Sequence, residues 1–222
     1  MTSPHSAPPV LTIDVEDAGV QEFAAVPTLR FSLRIDTAGG EAIRSLVLDT
    51  QIRVAAPRRS YDAAARKRLA GLFGPPHQWS RTLRSLLWTH TTLLVAPFTG
   101  GTRVDMPVGC TYDFDAGIVA YFRALDDGEI PLEFLFSGAI FYAGDGGLLQ
   151  TARIPWDTEA EFGLPVRIWQ RLIDHYYPES TWLRLRRDTA ERLSAYRTRH
   201  TLTSFDDVVD ALLDQEDGSW TR

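Results

Sequence analysis

Val104, Met106, Val108, Cys110, Tyr112 and Phe114 occupy every even position of one stretch, while Asp105, Pro107, Gly109, Thr111 and Asp113 fill the odd ones. Successive side chains of a strand point to opposite faces, so this alternation predicts a half-buried strand with its sulfur inward and its carboxylates outward. The same period of two recurs elsewhere. Phe31, Leu33 and Ile35 alternate with Arg30, Ser32 and Arg34; Leu46, Leu48, Ile52 and Val54 share a face; so do Ile130, Leu132, Phe134 and Phe136. Between these runs lie "DTAGG", "FTGG", "DFDAG", "DDGE" and "AGDGG", whose Gly and Asp residues suit tight reversals. The pattern predicts about seven mostly antiparallel strands between residues 29 and 154, with Pro107 and Pro131 marking edges or bulges because each lacks a ladder donor.

Helical periodicity interrupts this pattern once and then replaces it. "SYDAAARKRLAGLFG" offers Ser60 as a cap, Leu69, Leu72 and Phe73 as an apolar side and "GPP" as a stop, and reads as a crossover helix. Three C-terminal segments follow. The first carries a stripe of Val166, Trp169, Leu172, Ile173 and Tyr176 between Pro165 and Pro178. The second is capped by Ser180 and buries Trp182, Leu185, Leu193 and Tyr196. The third is capped by Ser204 and buries Phe205, Val208, Val209, Leu212 and Leu213. Amphipathic helices need an apolar surface, and a sheet supplies one. The expected fold is therefore α+β: an antiparallel, hairpin-rich sheet or sandwich, one crossover helix and three C-terminal helices packed on the sheet. Residues 1–28 read as an acidic, partly ordered N-terminal segment. Residues 29–215 read as a single domain, β-rich over 29–160 and helical over 161–215, and 216–222 as a flexible tail.

Length and charge narrow the function. A chain of 222 residues can build one substantial core, and 44% hydrophobic with 23% charged residues is ordinary globular usage. The formal net charge of -6 disfavours nucleic acid as a partner, because phosphate binding draws on concentrated Lys and Arg. Neither a signal peptide nor a long apolar run is present, and a single cysteine forms no internal disulfide, so the expected location is the cytoplasm.

Candidate chemistry is sparse. Placed inward by the alternation, Cys110 reads as a small hydrophobe rather than a nucleophile, since nothing local lowers its pKa. Asp113 and Asp115 with Asp105 resemble an acid pair or cation ligands, but also the turn chemistry of any hairpin. His5, His77, His90, His175 and His200 show no metal-ligand spacing, and Asp174 beside His175 cannot face it on a helix. The "GDGG" of residues 144–147 lies between strands, not before a helix, so it lacks the dipole of a phosphate loop. This reading assigns no catalytic residue, metal or cofactor, and favours a protein that is not an enzyme. Arg58, Arg59, Arg66, Lys67 and Arg68 around the first helix form a candidate docking surface for an acidic partner. Trp156, Trp169 and Tyr112 are candidates for the lining of a pocket between sheet and helices.

The segments "VPTLRFSLRI", "IPLEFLFSGAIFY", "IPWDTEAEFGLPVRIWQRLIDHYYP" and "SFDDVVDALL" resemble an uncharacterised actinobacterial family encoded in gene clusters of uptake nickel–iron hydrogenases. The resemblance covers most of residues 26 to 213. It implies a role beside a hydrogenase, in assembly or stabilisation of its subunits, with a hydrogenase subunit or maturation factor as partner. The leading expectation is a non-enzymatic binding or assembly module that acts by surface contact, through an unpaired strand edge that accepts a partner segment. The alternatives are a small-ligand carrier and, third, a hydrolase of unfamiliar type.

Overall fold

In the computed structural model, residues 8–110, 116–144, 147–178, 180 and 185–219 are described. They contain nine strands and six α-helices. The chain divides into two compact units at Glu179/Ser180.

The first unit is built on two antiparallel sheets. One orders β1 (Leu11–Val20), β2 (Thr28–Thr37) and β6 (Gly101–Gly109) as β1-β2-β6. The other orders β4 (Leu86–Val95), β3 (Ala42–Val54), β7 (Glu129–Ala143) and β8 (Leu149–Arg153) as β4-β3-β7-β8, with β5 (Phe98–Thr99) beside β3 and β9 (Glu159–Pro165) beside β7. The α+β architecture read from the alternation is what the chain adopts. Phe31, Leu33 and Ile35 are buried to the last atom, as are Leu46, Leu48 and Ile52 on the facing sheet. Burial of each such side chain contributes about 1.5–3 kcal/mol, which is why period two fixes the register.

The thiol of Cys110 points inward as expected and donates to the Val108 carbonyl at 3.3 Å, while Arg103 and Asp105 lie outside. The strand itself stops at Gly109. Tyr112, Asp113, Phe114 and Asp115 lie outside the described residues, and a helix, α3 (Ala116–Arg123), follows. It is short, and burial of Ile118, Tyr121 and Phe122 holds it. Two strands exceed the expectation. Leu11, Ile13 and Val15 alternate in β1 within the acidic N-terminal segment, and β9 is recruited by its register with β7 from Glu129↔Pro165 to Leu135↔Glu159.

Pro107 sits on the edge strand β6. Pro131 lies in β7 just past Val54↔Leu132; its carbonyl still accepts from the Ala55 amide at 2.8 Å, and with no donor to return the bond it marks the end of the ladder with β3. Gly138 allows β7 and β3 to approach: with φ at 131°, a Cβ there would stand 2.0 Å from the Val47 carbonyl oxygen. The crossover helix α1 (Ala63–Phe73) is capped by Asp62 rather than Ser60, the Asp62 carboxylate accepting from the Ala65 amide at 2.6 Å. Beyond it lies the one-turn α2 (Trp79–Thr82).

Helix α4 (Val166–Tyr176) buries Val166, Trp169 and Leu172 and touches β1 and β2 of one sheet and β9 of the other. An aromatic chain joins the layers: Phe31 meets Phe134 at 5.2 Å and Trp88 at 6.2 Å, Trp88 meets Phe122 at 5.2 Å, and Phe122 meets Trp169 at 4.8 Å.

The second unit is a helical hairpin of α5 (Arg187–Arg199) and α6 (Phe205–Ser219). Helix α5 is described from Arg187, with Arg186 at the N-cap and no side-chain capping bond; Trp182 lies outside the described residues. Ser204 does cap α6, accepting from the Asp207 amide at 3.0 Å. Of the stripe expected on α6, Val208 is buried, whereas Phe205, Val209, Leu212 and Leu213 remain exposed. No helix among the described residues is long and apolar enough to cross a membrane.

Candidate functional site

Residues 21–27 connect β1 to β2, and the Gln21 amide donates to the Thr28 carbonyl at 2.9 Å to close the loop. At its tip Phe23 takes φ of 60° and exposes 99% of its surface. A bulky residue in the left-handed region is strained by about 1–3 kcal/mol, and leaving its ring in water forgoes a further contribution of similar size. The surroundings hold the loop in this shape. The Tyr176 hydroxyl on α4 donates to the Ala24 carbonyl at 2.8 Å, tying the connection to the helix.

A cleft of about 560 Å³ opens between this loop and α4, lined by Val20, Glu22, Phe23, Arg171, His175 and Tyr176 among others. Arg171 and His175 are one turn apart, so they project from the same face of α4 near its C-terminus, where the helix dipole favours cations. The His175 ring lies edge-on to Tyr176 at 5.0 Å. Among the described residues neither Arg171 nor Glu22 has an ion-pair partner, so a donor fork and a carboxylate stand ready beside an apolar wall. Such a wall with convergent polar groups binds an amphipathic segment.

The basic cluster divides. Arg58 bridges Glu133 at 3.2 Å and also pairs with Glu161; Arg59 donates to the carbonyls of Asp127, at 2.6 Å, and of Glu129; Arg68 meets Asp126 at 2.6 Å and the Ala124 carbonyl at 2.9 Å. The first two help line a surface hollow with Glu129 and Glu161. These three arginines hold loops of their own chain together. Arg66 and Lys67 stand exposed on α1 with no ion-pair partner among the described residues.

Of the residues expected to line a pocket, Trp156 and Trp169 differ sharply in burial. Trp156 is 93% exposed in the turn before β9, and Trp169 is packed into the core against Phe122, leaving no face to a ligand; Tyr112 lies outside the described residues. A cleft does exist, between the β1–β2 loop and the C-terminal half of α4. Its Phe23 carried no sequence signal, because a turn residue with positive φ is ordinarily Gly or Asn. Arg171 and His175 are exposed on α4, and only the fold supplies the loop opposite them.

Among the described residues no three His, Cys, Asp or Glu side chains come together to hold a metal ion. Burial pushes the Cys110 thiol up to about 12, which keeps it protonated and inert.

The fold is that of a two-sheet α+β protein with a cleft on its flank. The chain belongs to a family of unknown function, DUF6084, whose model matches residues 8–220. No curated protein matches it. Among solved structures it is similar to the CARDB domain of the PF1109 protein from Pyrococcus furiosus, in complex with di-metal ions, at 10% identity over 71% of this chain and 92% of that one, with a TM-score of 0.28. It is also similar to beta-glucosidase 3B from Thermotoga neapolitana in complex with alpha-D-glucose, at 16% identity over 70% of this chain and 17% of that one, with a TM-score of 0.25. A putative ApaA protein from Bordetella pertussis aligns at 13% identity over 71% and 94%, with a TM-score of 0.23. Scores of this size establish no common fold.

Proposed function

We propose that this protein is a non-enzymatic binding module that takes an acidic, amphipathic segment of a protein partner into the cleft between the β1–β2 loop and α4. The observation that carries this reading is Phe23, a strained and almost wholly solvated ring at the mouth of a cleft whose far wall presents Arg171 and His175. Covering the ring recovers hydrophobic free energy, and a carboxylate on the partner pairs with the guanidinium bidentately.

Arg66 and Lys67 remain a second, purely electrostatic contact for the same acidic partner. The finer reading, in which that partner is a hydrogenase subunit or maturation factor, rests on the family resemblance alone. The cytoplasm is the proposed location, on the strength of the lone cysteine.

Affinity purification from cells that make the protein tests the reading. One partner should be recovered by the wild type and lost with both R171E and F23S. Equal recovery by all three would overturn it.

The cleft volume of about 560 Å³ also lies in the range of small-molecule sites and favours one alternative, a carrier of amphipathic carboxylates. Thermal stabilisation of the purified protein by medium-chain fatty acids, abolished by R171E, would favour that alternative.

A further inference from the structure

The exposed strand edges of this fold are protected, with one exception. In the smaller sheet, β1 carries Asp14, Glu16 and Asp17 and a bulge between Val15 and Asp17, while β6 carries Arg103, Asp105 and Pro107. In the larger sheet, β9 carries Glu159, Glu161 and Pro165, β8 is five residues long and ends in Arg153, and β5 has two residues. Charges, prolines, bulges and shortness are the devices that stop a sheet edge from adding a strand.

Strand β4, "LLWTHTTLLV", has ten residues without a single Asp, Glu, Lys, Arg or Pro. It ends its sheet, paired only to β3, and no described backbone group bonds its outer edge. Leu87 and Leu94 are 45% and 71% exposed on its outer face.

β4 has one bulge, at Trp88, where Ile52↔Thr89 is followed by Arg53↔Leu87. The bulge shifts the facing by one, so Leu87 falls on the same outer face as His90, Thr92 and Leu94 although its number is odd. Place a second β4 antiparallel to the first with the two-fold axis through Thr91. Thr89 then opposes Leu93 on the inner face, and His90 opposes Thr92 on the outer one. Beyond the bulge, each exposed Leu87 meets the other copy's exposed Leu94.

We infer that β4 is a self-complementary edge through which two copies of this chain pair about a two-fold axis, joining their larger sheets into one continuous sheet. An isologous contact needs residue i to meet j and j to meet i, and Leu87 with Leu94 satisfies this with the only two large apolar side chains exposed on the strand. The inference is independent of the cleft, which lies on β1, its loop and α4.

Sedimentation of the full chain across a wide concentration range tests it. The wild type should sediment as a dimer. L87K/L94K places lysines opposite lysines across the axis and L87E/L94E places glutamates opposite glutamates, so each alone should lose the dimer. An equimolar mixture of the two should regain it, which a folding defect could not do. A monomeric wild type, a dimer that persists in both variants, or a mixture that stays monomeric would overturn the inference.

Discussion

The hydroxyls of Tyr61 and Tyr121 lie 2.7 Å apart in the core, and Tyr61 also bonds the Ala56 carbonyl at 2.7 Å. A carbonyl only accepts, so the single Tyr61 proton goes to Ala56, and Tyr121 must donate to the Tyr61 oxygen. The order of this relay sets the effect of breaking it. Y121F removes one hydrogen bond and should cost about 1 kcal/mol, whereas Y61F strands a buried hydroxyl and deprives the carbonyl of its better partner, costing about 1–3 kcal/mol. Urea unfolding of the two variants, with Y61F the less stable, checks the assignment.

Burial raises both tyrosine pKa values, and it pushes the Cys110 thiol from 9.0 up to about 12. Each group binds its proton more tightly in the folded chain, so the stability it contributes is complete below its unfolded pKa and is lost as pH rises towards the folded one. Loss should begin near pH 9 with the thiol and steepen above 10 as unfolded tyrosine ionises. Measured by urea midpoints, C110A should flatten the fall between pH 9 and 10, and the wild-type thiol should react with a thiol reagent at neutral pH only after unfolding.

Thr50 is 2% exposed in β3, and its hydroxyl finds no partner among the described residues. Valine has the same shape without the polar atom. T50V should therefore stabilise the protein by about 1 kcal/mol, read as a raised Tm, because the desolvation cost of an unpaired hydroxyl disappears.

At the start of α6, Ser204 and Asp207 cap each other. The Ser204 oxygen accepts from the Asp207 amide, while the Asp207 carboxylate accepts from the Thr203 hydroxyl at 2.7 Å and the Ser204 amide at 2.9 Å. The Thr203 hydroxyl, with help from Ser204, lowers the carboxyl to about 2. Its contribution is present above the unfolded value of 3.8 and is lost as pH falls through about 2. Hydrogen exchange at the Ser204 amide should accelerate over that acid window in the wild type and be fast throughout in D207A; S204A should cost the helix about 0.5–2 kcal/mol.

How far the sequence carries depends on which interaction decides each element. Strands whose faces alternate over five or more residues, such as Phe31–Leu33–Ile35 and Val104–Cys110, are legible because burial of one face dominates. Helix α3 was hidden because Gly117 interrupts a short run that only the packing of Tyr121 and Phe122 makes helical. Ser60 lost the cap to Asp62 because a carboxylate two residues on reaches Ala65 directly. For the site, residue type on α4 was readable, but the conformation of Phe23 and the exposure of Trp156 follow from tertiary geometry that no local pattern encodes.

The Phe23 cleft is the proposed seat of the partner. A photo-reactive phenylalanine analogue substituted for Phe23, and separately for the equally exposed Trp156 outside the cleft, tests it in living cells. One discrete cross-linked product is expected from position 23 and none from 156. No product from position 23, or the same product from both, would contradict it.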